Sequence, residues 1–115
     1  MSDCIFCKII NGDIPSQRVY EDSLCYAFND INPQAPVHVL VVPKKHAASV
    51  MELDTEEDEA LLGHIQQVIG RLAKELGIAE SGFRVLTNCG PDACQTVKHL
   101  HYHVLGGTKM SEKML

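Results

Sequence analysis

His99-Leu100-His101-Tyr102-His103-Val104-Leu105 places three of the chain's six histidines within five residues, each separated from the next by one apolar side chain. In an extended strand alternate side chains share a face. The spacing therefore puts three imidazoles on one side and Leu100, Tyr102 and Val104 on the other. The apolar strip implies a strand packed on a core, with the imidazoles gathered on its opposite face. Imidazole is the side chain that serves near neutral pH as nucleophile, proton donor or metal ligand. Three readings follow from the residues: a histidine-rich surface strand, a three-histidine metal site, or a nucleophilic centre.

Working outward, His38-Val39-Leu40-Val41-Val42 is an almost wholly apolar run of the kind found in central strands, and Pro43 ends it. Arg18-Val19-Tyr20 and Leu24-Cys25-Tyr26-Ala27-Phe28 read as a hairpin around the turn Glu21-Asp22-Ser23. Phe83-Arg84-Val85-Leu86-Thr87-Asn88 is a further strand. The loop Asn88-Cys89-Gly90-Pro91-Asp92 then leads towards the histidines. Leu61, Leu62, Ile65, Val68, Ile69, Leu72 and Leu76 recur at helical spacing and predict a helix over about 55–76, capped by Asp54 or Thr55 and closed by Gly77. The acidic stretch from Glu52 to Glu59 suits the positive end of that helix and reads as a solvated helix start. Ile5, Phe6, Ile9 and Ile10 are spaced for one face of a short helix, broken by Asn11-Gly12-Asp13 and Pro15. About five antiparallel strands with one long helix and a short N-terminal one make an α+β domain.

A chain of 115 residues supports one modest core, and with no Trp, three Phe and three Tyr that core is largely aliphatic. The net charge of −5 argues against general nucleic-acid binding, so an anionic ligand would have to be held by local donors. No run of apolar residues reaches membrane-spanning length. Met1-Ser2-Asp3-Cys4 does not read as a signal peptide, and five cysteines without an export signal point to a reducing, cytoplasmic setting. Cys4-Ile5-Phe6-Cys7 has the two-residue gap of a zinc knuckle, a spacing that thiol redox chemistry also uses. Cys25 falls in a strand and reads as core, whereas Cys89 and Cys94 flank the loop before the histidines.

The pattern from His99 to Leu105 resembles the signature of the histidine-triad (HIT) superfamily. Asp30-Ile31-Asn32-Pro33-Gln34-Ala35-Pro36, His38, Pro43-Lys44-Lys45-His46, Gln95-Thr96-Val97 and Gly106-Gly107 are similar to its nucleotide-binding branch, so that the likeness runs over nearly all of residues 4–107. It implies a HIT-like fold for a single domain spanning 1–115, with the triad at 99–105 and a tail at 108–115. It also implies a hydrolase that cleaves purine nucleoside 5′-phosphoramidates or aminoacyl adenylates at the α-phosphorus. A covalent nucleotidyl-histidine forms on the way, and a nucleoside monophosphate is released. His101 is then the nucleophile and His103 contacts the phosphoryl oxygens or bridging atom. Thr96 bonds the leaving group, and His38 stands near the nucleophile. Asn88 and Gln95 supply amide donors to the phosphate. Asp30 takes the ribose hydroxyls, and Phe6, Ile9, Phe28, Ile31 and Leu40 line the base pocket.

Related galactose-1-phosphate uridylyltransferases and bacterial HIT proteins hold zinc with residues that match Cys4, Cys7, His46 and His99. Two thiolates and two imidazoles would form a closed, structural site. The resemblance further implies a symmetric homodimer with no nucleic-acid or membrane partner. Two competing functions are a dinucleoside polyphosphate hydrolase or nucleotidyl transferase using the same intermediate, and a zinc-stabilised nucleotide-binding scaffold without turnover.

Overall fold

Strand β3 (Val37–Pro43) occupies the middle of a five-stranded, wholly antiparallel sheet with the order β1-β2-β3-β5-β4, in a computed structural model that describes residues 3–115. The other strands are β1 (Arg18–Glu21), β2 (Cys25–Asn29), β4 (Phe83–Leu86) and β5 (Tyr102–Gly106). Two helices flank them, α1 (Ile5–Ile10) and α2 (Glu56–Glu75). Met1 and Ser2 of the opening segment lie outside the described residues. The architecture is the expected α+β arrangement of five antiparallel strands, one long helix and one short one.

Both faces of the central strands are buried, which is why β2 and β3 read as unbroken apolar runs. On one face Cys25, Ala27, Val39, Val41, Tyr102 and Val104 pack with Leu61, Ile65, Val68, Ile69 and Leu72 of α2. On the other, Tyr26, Phe28, Leu40 and Val42 pack with Phe6 and Ile9 of α1. Phe6 and Ile9 are thus the buried residues of α1, while Ile5 is exposed and Ile10 half-buried. Among the described residues no helix is long and apolar enough to cross a membrane.

Local chemistry explains the boundaries. The Asp22 carboxylate accepts from the Leu24 and Cys25 N–H groups at 2.8 and 2.9 Å and so shapes the β1–β2 turn. Its other oxygen takes the Tyr20 hydroxyl at 2.7 Å and the His64 ring at 2.6 Å, which ties the hairpin to α2. Burial first, then the nearby Asp22 carboxylate, pushes the Cys25 thiol up to about 12, as befits an inert core cysteine. Thr55 and Asp58 form a reciprocal capping box at the start of α2. At its end the N–H groups of Gly77 and Ile78 reach back to Lys74 and Ala73, with Gly77 at φ +75°.

Two expectations are corrected. The acidic helix start is not wholly solvated, because Asp58 is only 2% exposed and bonds Lys45 Nζ at 2.7 Å. The regular strand begins at Tyr102 rather than His99, because the Leu100 N–H leaves the ladder for the carbonyl of Ala47 at 2.7 Å. Gly106-Gly107 also has a steric reason. A Cβ on Gly106 would meet the Ile78 side chain at 2.9 Å, and Gly107 sits at φ +87°.

Candidate active site

Although β5 is shorter than expected, the triad keeps its alternation. Leu100, Tyr102 and Val104 join the core under α2. His99 and His101 stack edge-on against Phe6 of α1, with ring centroids 5.9 and 5.0 Å away, and the His103 ring lies 5.1 Å from that of His101. The three imidazoles therefore lie on the face that carries α1.

His101 is buried and its Nδ1 lies 2.7 Å from the carbonyl oxygen of His99. A carbonyl can only accept, so Nδ1 carries the hydrogen and the lone pair of the neutral ring resides on Nε2. His103 pairs with Leu40 across the β3–β5 ladder, which brings it diagonally onto His38 of β3. Its Nδ1 stands 2.9 Å from His38 Nε2. That same His38 nitrogen is 3.4 Å from Asp30 Oδ2, and His38 Nδ1 accepts the main-chain N–H of Gln34 at 3.0 Å. Burial and then the neighbouring rings of His101 and His38 push His103 down to about 4, against the pull of Asp30. Burial likewise holds His38 below the usual histidine range, with Asp30 opposing. Both rings are neutral near neutral pH.

Of the base-pocket candidates, Phe6, Ile9, Phe28 and Leu40 form one buried cluster on the triad's face. Ile31 is apart from them, 92% exposed at the tip of the loop after Asp30. Asp30 Oδ1 is engaged by the Asn32 N–H at 2.8 Å. Thr96 is exposed and lines a groove of about 400 Å³ with Cys4, His46 and Val97. Asn88 is half-buried two residues beyond β4. Gln95 departs from its expected part as a phosphate donor. Its Nε2 donates to the carbonyls of Ala48 at 2.7 Å and Val97 at 3.1 Å, and its Oε1 accepts the Gly90 N–H at 2.9 Å. Both amide hydrogens are spent on the loop. Gln34 was not foreseen, since it acts through a main-chain N–H, which has no residue-type signature; its place in a proline-bounded loop four residues before His38 was the available clue.

The donor atoms of Cys4, Cys7, His46 and His99 converge to within 4.8 Å of one another. His99 Nδ1 lies 3.3 Å from Cys4 Sγ, 3.6 Å from Cys7 Sγ and 3.1 Å from His46 Nδ1, while Cys7 Sγ is 3.4 Å from His46 Nδ1. A tetrahedral zinc ion, with sulfur at about 2.3 Å and nitrogen at about 2.0 Å, spaces its donors roughly 3.3–3.8 Å apart. His99 Nε2 donates to the Pro43 carbonyl at 2.8 Å, so its Nδ1 lone pair is the one turned towards the sulfurs. The cluster fits zinc, with four protein donors and no open position.

The fold and the alternating histidines define a histidine-triad protein. The chain belongs to the HIT family, whose HIT domain model matches residues 11–110. It is similar to a HIT family hydrolase from Clostridium thermocellum, with 50% identity and a TM-score of 0.95 over 100% of this chain and 99% of that one. A histidine triad nucleotide-binding protein from Candida albicans superposes with a TM-score of 0.82 at 36% identity, over 96% and 85% of the two chains. A 14 kDa zinc-binding protein of Zea mays is 46% identical over 111 residues, 96% of this chain and 86% of the relative.

Proposed function

We propose that this protein is a nucleotide-binding hydrolase of the cytoplasm that cleaves purine nucleoside 5′-phosphoramidates or aminoacyl adenylates at the α-phosphorus. The supporting observation is the 2.7 Å bond from His101 Nδ1 to the His99 carbonyl, which fixes the ring and leaves Nε2 as the nitrogen available for attack. Similarity to a HIT family hydrolase and to a histidine triad nucleotide-binding protein points the same way.

In this reading His101 Nε2 attacks phosphorus as the bond to the leaving nitrogen or oxygen breaks, giving a nucleotidyl-imidazole that water then hydrolyses. The hydroxyl of Thr96 serves the leaving group. His103 donates to the phosphoryl oxygens, Asp30 accepts from the ribose hydroxyls through Oδ2, and Phe6, Ile9, Phe28, Leu40 and the exposed Ile31 enclose the base. Asn88 supplies an amide to the phosphate, and Gln95 shapes the loop beside it. Zinc held by Cys4, Cys7, His46 and His99 ties α1 to the sheet and takes no part in the displacement.

The test is release of nucleoside monophosphate from adenosine 5′-phosphoramidate. Wild type is expected to turn over, and His101→Ala to lose about 10³-fold or more while remaining folded, as loss of a nucleophile does. A folded His101→Ala protein with an unchanged rate would sink the reading.

Residues 1–115 are read as one HIT domain that works as a homodimer. The edge strand β4 leaves Phe83 and Leu86 39% and 38% exposed, and an open apolar edge is commonly paired or covered. Light scattering is expected to give twice the chain mass at micromolar concentration; the monomer mass would contradict it.

A further inference from the structure

We infer that the main-chain N–H of Gln34 sets the tautomers of the histidine pair beside the nucleophile, holding both His38 and His103 with hydrogen on Nε2 and none on Nδ1. A peptide N–H can only donate, and that of Gln34 lies 3.0 Å from His38 Nδ1. His38 Nδ1 is therefore a bare acceptor. The neutral ring must carry its hydrogen on Nε2, and that atom faces His103 Nδ1 at 2.9 Å. His103 Nδ1 accepts, so its own hydrogen stands on Nε2. Asp30 Oδ2, at 3.4 Å from His38 Nε2, is the more distant acceptor for the same hydrogen.

The loop is built to hold that donor in place. Asp30 N–H donates to the His38 carbonyl at 3.0 Å, Asn32 N–H to Asp30 Oδ1 at 2.8 Å, and the Gln34 side chain to the Asn32 carbonyl at 3.1 Å. Pro33 and Pro36 stiffen the backbone on either side. With hydrogen on His38 Nδ1 instead, two N–H groups would confront one another at a buried ring. Protonated His38 would make the same clash, so the clamp also keeps this ring uncharged.

The consequence for chemistry rests on the proposed reaction. His103 presents an N–H donor from Nε2 to a phosphoryl oxygen without having to be protonated, while His101 presents a lone pair from its own Nε2. Adjacent rings of one residue type are thus given opposite roles by two main-chain groups, the His99 carbonyl and the Gln34 N–H. Gln34 is a positioning residue in this scheme and touches no reacting atom.

The experiment reads tautomers directly and needs no turnover. Zinc-loaded wild-type protein carrying ¹⁵N-histidine and a ¹⁵N-labelled backbone is studied by long-range ¹H–¹⁵N correlation at neutral pH. Expected are Nε2–H tautomers for His38 and His103, the Nδ1–H tautomer for His101, and a coupling across the hydrogen bond between Gln34 N and His38 Nδ1. An amide-to-ester replacement at Gln34, which deletes only the N–H, is expected to abolish that coupling. It should also turn His38 and His103 into tautomer mixtures. His103 found with hydrogen on Nδ1 in wild type, or an ester variant with unaltered tautomers, would overturn the inference. If the ester variant does not fold, the wild-type spectrum alone decides. Failure of the phosphoramidate assay with these spectra intact removes the proposed reaction and leaves the tautomer assignment standing.

Discussion

Removing the Gln95 side chain strands three main-chain groups at once: the carbonyls of Ala48 and Val97 and the N–H of Gly90. Losing partners for half-buried backbone groups costs about 1–3 kcal/mol. Gln95→Ala is therefore expected to lower the unfolding free energy by that much, seen as a lower urea midpoint at an unchanged slope, and a loss below about 0.5 kcal/mol would show that water replaces the amide freely. The neighbouring roles divide by how much residue type alone can say. Three alternating histidines point to chemistry, because imidazole serves near neutral pH as nucleophile, proton donor or metal ligand. Which nitrogen of each ring bears hydrogen depends on main-chain partners at Pro43, His99 and Gln34, and those are legible only once the loops are folded. Gln95 shows the same limit: on paper an amide in a loop serves ligand and backbone equally well, and the fold bonds it to the backbone at Ala48, Val97 and Gly90.

At the scale of elements, α1 has six residues, far too few to persist as an isolated helix. It is held at two points. Phe6 and Ile9 dock on β2 and β3, and Cys4 and Cys7 bracket its first turn within the donor cluster. Cys4 Sγ also caps the helix by accepting the Cys7 N–H at 3.4 Å. Protein purified from zinc-replete cells is therefore expected to contain about one zinc per chain. Cys4→Ser should lose the metal and speed hydrogen exchange of the Phe6–Ile10 amides while α2 stays protected. A stable, metal-free wild type would remove the zinc assignment. Helical periodicity and caps made α2 readable almost to the residue, and the apolar runs did the same for β2 and β3. The start of β5 was not readable, since the Leu100–Ala47 bond that takes His99 and His101 out of the ladder joins segments 53 residues apart, a difference of the two residue numbers.

Over the whole molecule, the sheet buries imidazoles that must stay neutral, and that makes stability depend on pH. His103 is pushed down to about 4 and His38 also lies below its ordinary value of 6.5, in each case first because burial disfavours the charged ring. Between the folded and unfolded values the unfolded chain binds more protons, so stability rises with pH across that interval. The contribution is complete above about pH 6.5 and is lost progressively as pH falls towards 4, with about 3 kcal/mol as the order of magnitude for His103. Asp58 adds a second step at lower pH. Its bond from Lys45, working against burial, holds its carboxyl below 3.8, so that its stabilisation disappears only as pH falls below that value. Thermal midpoints taken from pH 7.5 to 4.5 are expected to fall below about pH 6.5. Release of bound zinc in acid would lower them too, so the diagnostic comparison is with His103→Gln, which keeps a polar side chain but does not titrate. Both proteins share the Cys4, Cys7, His46 and His99 cluster, and only the wild type carries the His103 contribution. The two curves should converge as pH falls, the variant losing less. Parallel curves would show that the acid sensitivity arises elsewhere than in the His38–His103 pair beside His101.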